Sequence, residues 1–156
     1  MTDDLDTHFA DAEYSYVERA RVGRLATTDG EGRPSVVPVC FALTDDRIVT
    51  PIDEKPKADD PTSLRRVRDV RANPRVTLVV DHYVEDWDAL GWVQIRGTAR
   101  ILDAAACEDD AGTHGHESAI DALRAKYDQY ADHALEARPV IAIDPGSVRS
   151  WGDLST

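Results

Sequence analysis

A segment of concentrated positive charge, residues 55–75, could bind an anionic group. It contains seven basic and three acidic residues, a balance of +4 in a chain whose formal net charge is −12. Arginine and lysine are the usual partners of phosphate, and a helix predicted to begin near Thr62 would add free backbone N–H groups. The segment favours an anion site, although the same residues would also suit a solvated helix face with Arg–Asp pairs. Its basic residues are Lys55, Lys57, Arg65, Arg66, Arg68, Arg71 and Arg75.

A second candidate site lies on residues 91–101, where residue types alternate with the period of two expected of a β-strand. One set of alternate residues is apolar or small and suits a core: Val93, Ile95, Gly97, Ala99 and Ile101. The other set joins a tryptophan to polar and basic residues: Trp92, Gln94, Arg96, Thr98 and Arg100. This second face favours a subunit interface or the edge of a planar ligand, the alternative being an ordinary exposed face with one tryptophan.

The histidine and cysteine residues lack the neighbouring residues that a metal site or a catalytic site would require. His114 and His116 flank a glycine with no third ligand at a suitable spacing, so we predict a loop there and no metal site. Cys107 has no spaced partner, and no nucleophile, phosphate-loop or dinucleotide fingerprint occurs in the sequence. We therefore assign no catalytic side chain.

The elements that position these residues are predicted to be mainly β. Apolar spacings predict a first helix within residues 1–20, and strands are expected over 24–28, 33–43, 47–52, 75–82, 90–102 and 138–144. Pro34 and Pro38 make the second strand an edge strand or an interrupted one. Further helices are expected near 61–72 and 117–131, and a turn at Pro145-Gly146. Short connections predict a mostly antiparallel β-barrel with satellite helices in a single domain, residues 1–156, whose barrel spans 21–152.

Composition restricts the possible partners. The 30 acidic residues outnumber the 18 basic ones, so general nucleic-acid binding is disfavoured. The same bias, with lysine scarce, predicts a halophilic protein, the alternative being an acidic protein from a low-salt source. The two cysteines imply no disulfide framework, and the acidic start and short apolar runs predict neither a secretory signal nor a membrane span. We expect a cytoplasmic protein with no nucleic acid or membrane among its partners.

Several short motifs also occur in a characteristic order along the chain. They are residues 19–27, Gly32-Arg33-Pro34, Val37-Pro38-Val39, residues 71–76, Asp86-Trp87, residues 90–97, and residues 138–141 followed by Trp151. Their order resembles that of the pyridoxamine 5'-phosphate oxidase-like split-barrel superfamily of FMN-binding proteins. The later motifs are similar to those of its branch of oxidoreductases that depend on a deazaflavin, coenzyme F420. The resemblance spans about residues 18–152.

The resemblance implies that this barrel is a split, Greek-key-like β-barrel. It also implies a homodimer with two equivalent cofactor sites at the subunit interface. Basic residues after the third strand and on the next helix would hold the cofactor phosphate, and the ring would lie against two strands. In this sequence the phosphate positions match Lys55, Lys57, Arg65 and Arg66. The ring positions match Val37, Pro38, Thr50 and Pro51. The second subunit would contribute Trp92, Gln94, Arg149 and Trp151.

The activity implied by the resemblance is hydride transfer between a reduced deazaflavin and a small unsaturated or conjugated acceptor. FMN in the same groove is one alternative, and a non-catalytic module that binds a flavin or haem is another. The chain ends without the arginine-bearing segment of true pyridoxamine-phosphate oxidases, which disfavours that substrate. In addition, Asp53 and Glu54 directly precede Lys55, where negative charge would weaken phosphate binding.

Overall fold

The computed structural model describes residues 8–52, 64–103 and 110–155. In this part of the chain the helices are α1 (Asp11–Arg19), α2 (Arg65–Ala72) and α3 (Asp110–Lys126). The strands are β1 (Gly23–Thr28), β2 (Pro34–Val39), β3 (Ala42–Leu43), β4 (Ile48–Pro51), β5 (Arg75–His82), β6 (Gly91–Leu102) and β7 (Val140–Gly152). Short 3-10 helices occupy Trp87–Ala89, Asp128–Asp132 and Leu135–Ala137.

The described strands form one sheet in the order β2-β1-β5-β6-β7-β4-β3, and every pairing in it is antiparallel. The longest pairing joins β6 to β7, from Gly91 opposite Gly152 to Leu102 opposite Val140. The sheet curls into a half-barrel, with the three helices packed around it. The predicted fold class, a mainly β, mostly antiparallel split barrel with satellite helices, is confirmed.

One face of the sheet, the core face, packs against α1 and α2. Leu78 of β5 and Val93 and Ile95 of β6 are almost fully buried there, as the alternation in the sequence predicts. Val17 of α1 and Val67 of α2 cover them. Burying an aliphatic side chain of this size contributes roughly 1.5–3 kcal/mol to the stability of the fold. Burial of the apolar residues therefore determines which side of the strand faces outwards.

The opposite face is covered by α3 at the end where β6 and β7 meet β4. Leu102 of β6 packs there, in a second core, against Leu123 of α3 and against Tyr127, the residue that directly follows α3. The hydroxyl of Tyr127 accepts a hydrogen bond from the backbone N–H of Phe41 at 3.1 Å, which fastens the helix to the chain entering β3. The rest of this face, on β2, β1, β5 and the other end of β6–β7, is not covered by the described helices; we call it the open face.

The predicted turn at Pro145-Gly146 is wrong. Strand β7 runs through these residues, and the register with β6 shifts between Arg96 and Gly97, so that Gly146 is the extra residue of a β-bulge. A bulge accommodates a proline inside a strand because the local ladder is already interrupted there. The two strands approach so closely that a Cβ on Gly97 would lie 2.4 Å from the carbonyl oxygen of Asp144.

Two other predictions can be compared with the structure. The stretch 33–43 is both an edge and interrupted, because β2 ends at Val39 and β3 begins at Ala42, which confirms the interpretation of its prolines. The loop predicted at residues 114–116 is wrong, since α3 begins at Asp110. Its buried His116 donates from Nε2 to the carbonyl oxygen of Arg138 at 2.8 Å, so this ring serves packing. The predicted start of α2 lies outside the described residues.

Candidate functional site

Four of the predicted cofactor residues meet on the open face as two directly opposed pairs. Trp92 of β6 faces Trp151 of β7, and Gln94 of β6 faces Arg149 of β7. Directly opposed residues of an antiparallel pair point to the same side of the sheet, with Cβ atoms roughly 4.5–5.5 Å apart. Trp151 is 54% exposed, and Trp92 is half-buried. The two pairs form a platform of two indoles, an amide and a guanidinium, which we call the tryptophan platform.

Strands β5, β1 and β2 continue the open face from the platform towards the β2 edge of the sheet. Asp81 of β5 lies opposite Trp92, and its Oδ1 accepts from Nη1 of Arg24 on β1 at 2.7 Å. Pro38 of β2 lies opposite Arg24, so this predicted ring contact also faces the open side of the sheet. Val36, two residues earlier, is 61% exposed. The open face therefore presents apolar and ionic groups side by side.

The other predicted ring contacts lie away from the platform within one chain. Val37 of β2 lies opposite Leu25 and packs against the apolar residues of the core face. Thr50 and Pro51 of β4 are buried, and the Thr50 hydroxyl donates to the carbonyl oxygen of Cys40 at 2.7 Å. Strand β4 pairs with the beginning of β7, whereas the platform lies at the end of β7. One copy of the chain does not bring these two groups of residues together.

The predicted phosphate ligands are only partly described. Lys55 and Lys57 lie outside the described residues. Arg65 and Arg66 form the first turn of α2, where Arg65 is exposed and Arg66 is half-buried. Arg68 and Arg71 are exposed further along α2, so the described part of the basic segment carries positive charge over the whole length of this helix, which packs on β1 and β6.

A buried carboxylate orients Arg65. The Nε atom of Arg65 lies 3.5 Å from Oδ2 of Asp69, which is one helical turn later. Asp69 is 3% exposed, and the same oxygen accepts a hydrogen bond from the hydroxyl of Thr27 on β1 at 2.8 Å. In the sequence, Asp69 stands out only as a negative charge within the basic segment. Its burial beneath Arg65 was not predicted.

A cleft of about 560 Å³ opens between the end of α1 and β5, beside the platform. The hydroxyl of Tyr16 lies there 2.7 Å from Nδ1 of His82. Burial, and then the negative charge of the lining residue Asp81, raises the pKa of Tyr16 above its usual value. The sequence does not indicate this pair, because the two residues are 66 positions apart and neither belongs to a motif.

Lys126, the last residue of α3, places its ammonium group 3.9 Å from the centroid of the Phe41 ring. The Nζ atom is buried and has no hydrogen-bond partner within the described ranges. Burial, and then the charge of Arg21, lowers the pKa of this amine to about 8. The sequence shows that lysine is scarce, but nothing in it marks this one as buried.

The chemistry available at the tryptophan platform is recognition of a flat, anionic molecule. Indole faces pack against aromatic rings, the Gln94 amide both donates and accepts, and Arg149 attracts negative charge. Across residues 8–52, 64–103 and 110–155, no three His, Cys, Asp or Glu side chains are grouped to hold a metal ion. No helix in the same ranges has the length and apolar character required to cross a bilayer.

Comparison with known proteins places the chain among cofactor-dependent proteins. Residues 10–152 match the family model for pyridoxamine 5'-phosphate oxidase. The 5a,11a-dehydrotetracycline/5a,11a-dehydrooxytetracycline reductase of Streptomyces rimosus is 34% identical over 101 residues, which is 64% of this chain and 68% of that enzyme. The conserved hypothetical protein Rv2991 of Mycobacterium tuberculosis has a similar structure, with a TM-score of 0.70, 21% identity and coverage of 99% of this chain and 91% of the other. An F420 reductase gives a TM-score of 0.60 at 22% identity, covering 90% and 98% of the two chains.

Proposed function

Because the chain belongs to the pyridoxamine 5'-phosphate oxidase family and is therefore an oxidoreductase, we propose that it transfers hydride from reduced coenzyme F420 to a small unsaturated or conjugated acceptor. The observation that carries this proposal is the tryptophan platform, where Trp92, Gln94, Arg149 and Trp151 form two adjacent pairs on an uncovered surface. Such a surface suits the edge of a flat tricyclic ring with an anionic substituent.

The relatives support the direction and the cofactor of this proposal. The Streptomyces rimosus protein is a reductase of a dehydrotetracycline, which favours reduction of a conjugated acceptor here. The F420 reductase shares the fold, which makes coenzyme F420 the first cofactor to test, with FMN as the second.

The bound cofactor supplies the hydride, and the protein supplies binding, orientation and electrostatics. Trp92 and Trp151 would pack against the ring or its edge, and the Gln94 amide would bond a polar edge of the ring. Arg149 would balance negative charge on the cofactor, and Arg65, oriented by Asp69, would bind phosphate. These roles require geometry from the protein and no acid–base group of its own.

We propose further that two copies of the chain complete the site. The platform and the ring contacts at Thr50 and Pro51 lie at opposite ends of β7 in one copy, so a second copy is needed to bring both onto one cofactor. Val36 and Trp151, 61% and 54% exposed, are large apolar side chains that a symmetric partner would cover. Sedimentation equilibrium tests this proposal, and a monomer mass at micromolar concentration would contradict it.

The cofactor is tested by binding and turnover with the purified protein. Calorimetric titration with coenzyme F420 and with FMN is followed by absorbance of reduced F420 in the presence of conjugated acceptors. We expect F420 to bind, and Arg149→Gln to raise its dissociation constant about tenfold, the loss of about 1.4 kcal/mol typical of one hydrogen bond to a charged group.

Arg33→Gln is the matched control for this experiment. Arg33 is also an exposed arginine, but it pairs with Asp29 and Glu31 in the turn between β1 and β2. Its replacement should leave the affinity for F420 unchanged. Binding of FMN alone would redirect the proposal to an FMN enzyme, and binding of neither cofactor would contradict it.

A further inference from the structure

The cleft of about 560 Å³ between the end of α1 and β5 has the size of a small-molecule site, and we call it the α1 cleft. None of its lining residues belongs to the proposed cofactor site. Asp81 joins it to the tryptophan platform, because Asp81 of β5 lies directly opposite Trp92 of β6. A molecule in the α1 cleft would therefore lie next to a ring bound on the platform. The lining consists of Tyr16, Arg19, Ala20, Arg21, Val22, Asp81 and His82.

Arg21 brings a positive charge without a carboxylate partner to the α1 cleft. Its side chain is exposed, and its Nη1 donates to the carbonyl oxygen of Lys126 at 2.9 Å. The guanidinium carbon lies 4.5 Å from the centroid of the Tyr127 ring, so an aromatic face also holds the group. In the described part of the chain, no carboxylate forms an ion pair with Arg21. The remaining N–H groups of its planar fork can therefore bind the two oxygen atoms of an anionic ligand.

The other charged groups of the lining leave the α1 cleft positive on balance. Asp81 contributes a carboxylate, but its Oδ1 already accepts from Nη1 of Arg24 at 2.7 Å. Arg19 contributes a second guanidinium, whose Nη2 donates to the carbonyl oxygen of Leu154 at 3.0 Å. A positive cleft in a chain with a formal net charge of −12 creates a local potential that attracts anions.

The uncharged part of the lining suits an apolar, flat molecule. Val22 is 39% exposed, and an exposed apolar side chain beside a cleft of this size favours contact with a ligand. The hydroxyl of Tyr16 lies 2.7 Å from Nδ1 of His82, so the polar atoms of these two rings are engaged with each other. The α1 cleft therefore combines apolar and aromatic surface with one guanidinium that lacks a carboxylate partner.

We infer that the α1 cleft binds the acceptor of the proposed reaction, and that this acceptor is a flat conjugated ketone carrying one carboxylate or ionised enol. Arg21 binds the anionic group, and the conjugated part contacts Val22 on the side of the tryptophan platform. The inference rests on the proposed function, because hydride transfer requires the acceptor to lie beside the cofactor ring. Arg21 is then a residue that determines specificity, since an uncharged acceptor forms no charge-assisted hydrogen bond with it.

The test compound is 4-carboxychalcone, a conjugated ketone with two aromatic rings and a carboxylate, and its carboxamide is the neutral control. Binding to the purified full-length chain is measured by calorimetry, first without cofactor and then with oxidised coenzyme F420. We expect the acid to bind about tenfold more tightly than the amide. Arg21→Gln should weaken binding of the acid about tenfold and change that of the amide less than about twofold. Arg21→Lys should recover part of the affinity because it keeps the charge.

Two further variants separate recognition of the anion from a loss of folding. Val22→Glu places a negative charge in the lining at an exposed position, so it should weaken binding of the acid more than binding of the amide. Arg33→Gln is the matched control, because Arg33 pairs with Asp29 in the turn between β1 and β2. It should leave both affinities unchanged. Circular dichroism and urea unfolding confirm that each variant is folded.

Equal affinity for the acid and the amide would overturn the inference, as would unchanged affinity for the acid in folded Arg21→Gln. Failure of the acid to bind both with and without F420 would also overturn it. The proposed function fails separately. Oxidation of reduced F420 by uncharged conjugated ketones with no Arg21-dependent preference for the acid would contradict the inference and support the proposed function. Arg21-dependent binding of the acid by a chain that binds no F420 would contradict the proposed function, and the preference of the α1 cleft for a conjugated anion would stand.

Discussion

The phenolic oxygen of Tyr16 lies 2.7 Å from Nδ1 of His82 and donates to the carbonyl oxygen of Gly91 at 3.1 Å. On its other side, Nε2 of His82 donates to the carbonyl oxygen of Ala89 at 2.5 Å. One side chain of α1 thus joins the end of β5 to the beginning of β6, next to Trp92. The N-terminal helix is therefore part of the scaffold that positions the tryptophan platform.

Tyr16→Phe should destabilise the protein by about 1–3 kcal/mol, because it leaves buried polar groups without their partner. The measurement is the free energy of unfolding in urea. Tyr83→Phe is the matched control, since Tyr83 is 65% exposed; its effect should stay within about 0.5 kcal/mol. Equal stability of Tyr16→Phe and wild type would show that the hydrogen bonds do not hold the helix in place.

Lys126 should make the protein more stable as the pH rises from about 8 towards 9.5. Its pKa is about 8 in the folded protein against an ordinary 10.5, so in this range the unfolded chain binds more protons than the folded one. Stability rises with pH wherever the unfolded state holds more protons. Above pH 10 the raised pKa values of Tyr16 and Tyr127 act in the opposite sense, which sets the upper limit of the useful range.

Lys126→Met isolates this effect because methionine keeps an unbranched apolar side chain over the Phe41 ring. We expect urea unfolding of the variant to lose the rise between pH 8 and 9.5 that the wild type shows. Lys126→Arg is the complementary variant, since arginine stays charged throughout this range and should be less stable than wild type. A wild-type slope in Lys126→Met would assign the pH dependence to other groups.

Loss of two exposed ion pairs should destabilise the folded protein in acid. Hydrogen bonding to Arg33 lowers the pKa of Asp29 to about 2, and hydrogen bonding to Arg124 lowers that of Glu136 to about 2. A lowered carboxylate pKa stabilises the folded state above the ordinary pKa, and this contribution is lost as the pH falls through the folded value. Stability from these pairs should therefore decline between about pH 4.5 and 2.

Asp29→Asn and Glu136→Gln test the acid range with little change of shape. Asparagine can still accept through Oδ1 from the backbone N–H groups of Glu31 and Arg33, as Asp29 does, but it cannot pair ionically with Arg33. Each variant should show a flatter decline of unfolding free energy between pH 4.5 and 2, and the difference should shrink in high salt because the pairs are exposed. An undiminished difference in molar salt would contradict the ionic origin.

The regular elements were predictable where the local pattern agrees with the tertiary environment. The strand predicted over 75–82 is β5, and the one predicted over 90–102 begins a single residue later as β6. Both alternate between more and less buried residues over most of their length, because one face of each strand packs in the core. The continuation of β7 past Pro145 could not be predicted in the same way, because the bulge that permits it depends on Gly97 in a distant strand.

The sequence predicts which residues belong to the candidate site, but it does not predict which of them contact one another. The polar and basic residues beside Trp92 on its strand indicate a candidate functional face, and the resemblance implies Trp151. Only the register of β6 with β7 shows that the two tryptophans are direct neighbours. The Tyr16–His82 pair and the position of Lys126 over Phe41 depend on contacts between remote segments, for which the sequence carries no local signal. The resemblance assigned no role to any of these four residues.

The role of Arg65 can be separated from that of Asp69 by comparing two variants. Asp69→Ala removes a buried carboxylate that accepts from the Thr27 hydroxyl at 2.8 Å, so it should cost about 1–3 kcal/mol of unfolding free energy. Arg65→Gln should change stability by less than about 0.5 kcal/mol, because its 3.5 Å pair with Asp69 is made by a side chain that is 53% exposed. If Arg65 binds the cofactor phosphate as proposed, Arg65→Gln should still raise the dissociation constant of coenzyme F420 about tenfold. If Arg65→Gln changed neither the affinity for F420 nor the stability, Arg65 would not belong to the cofactor site. Asp69 would then stabilise this helix without the help of Arg65.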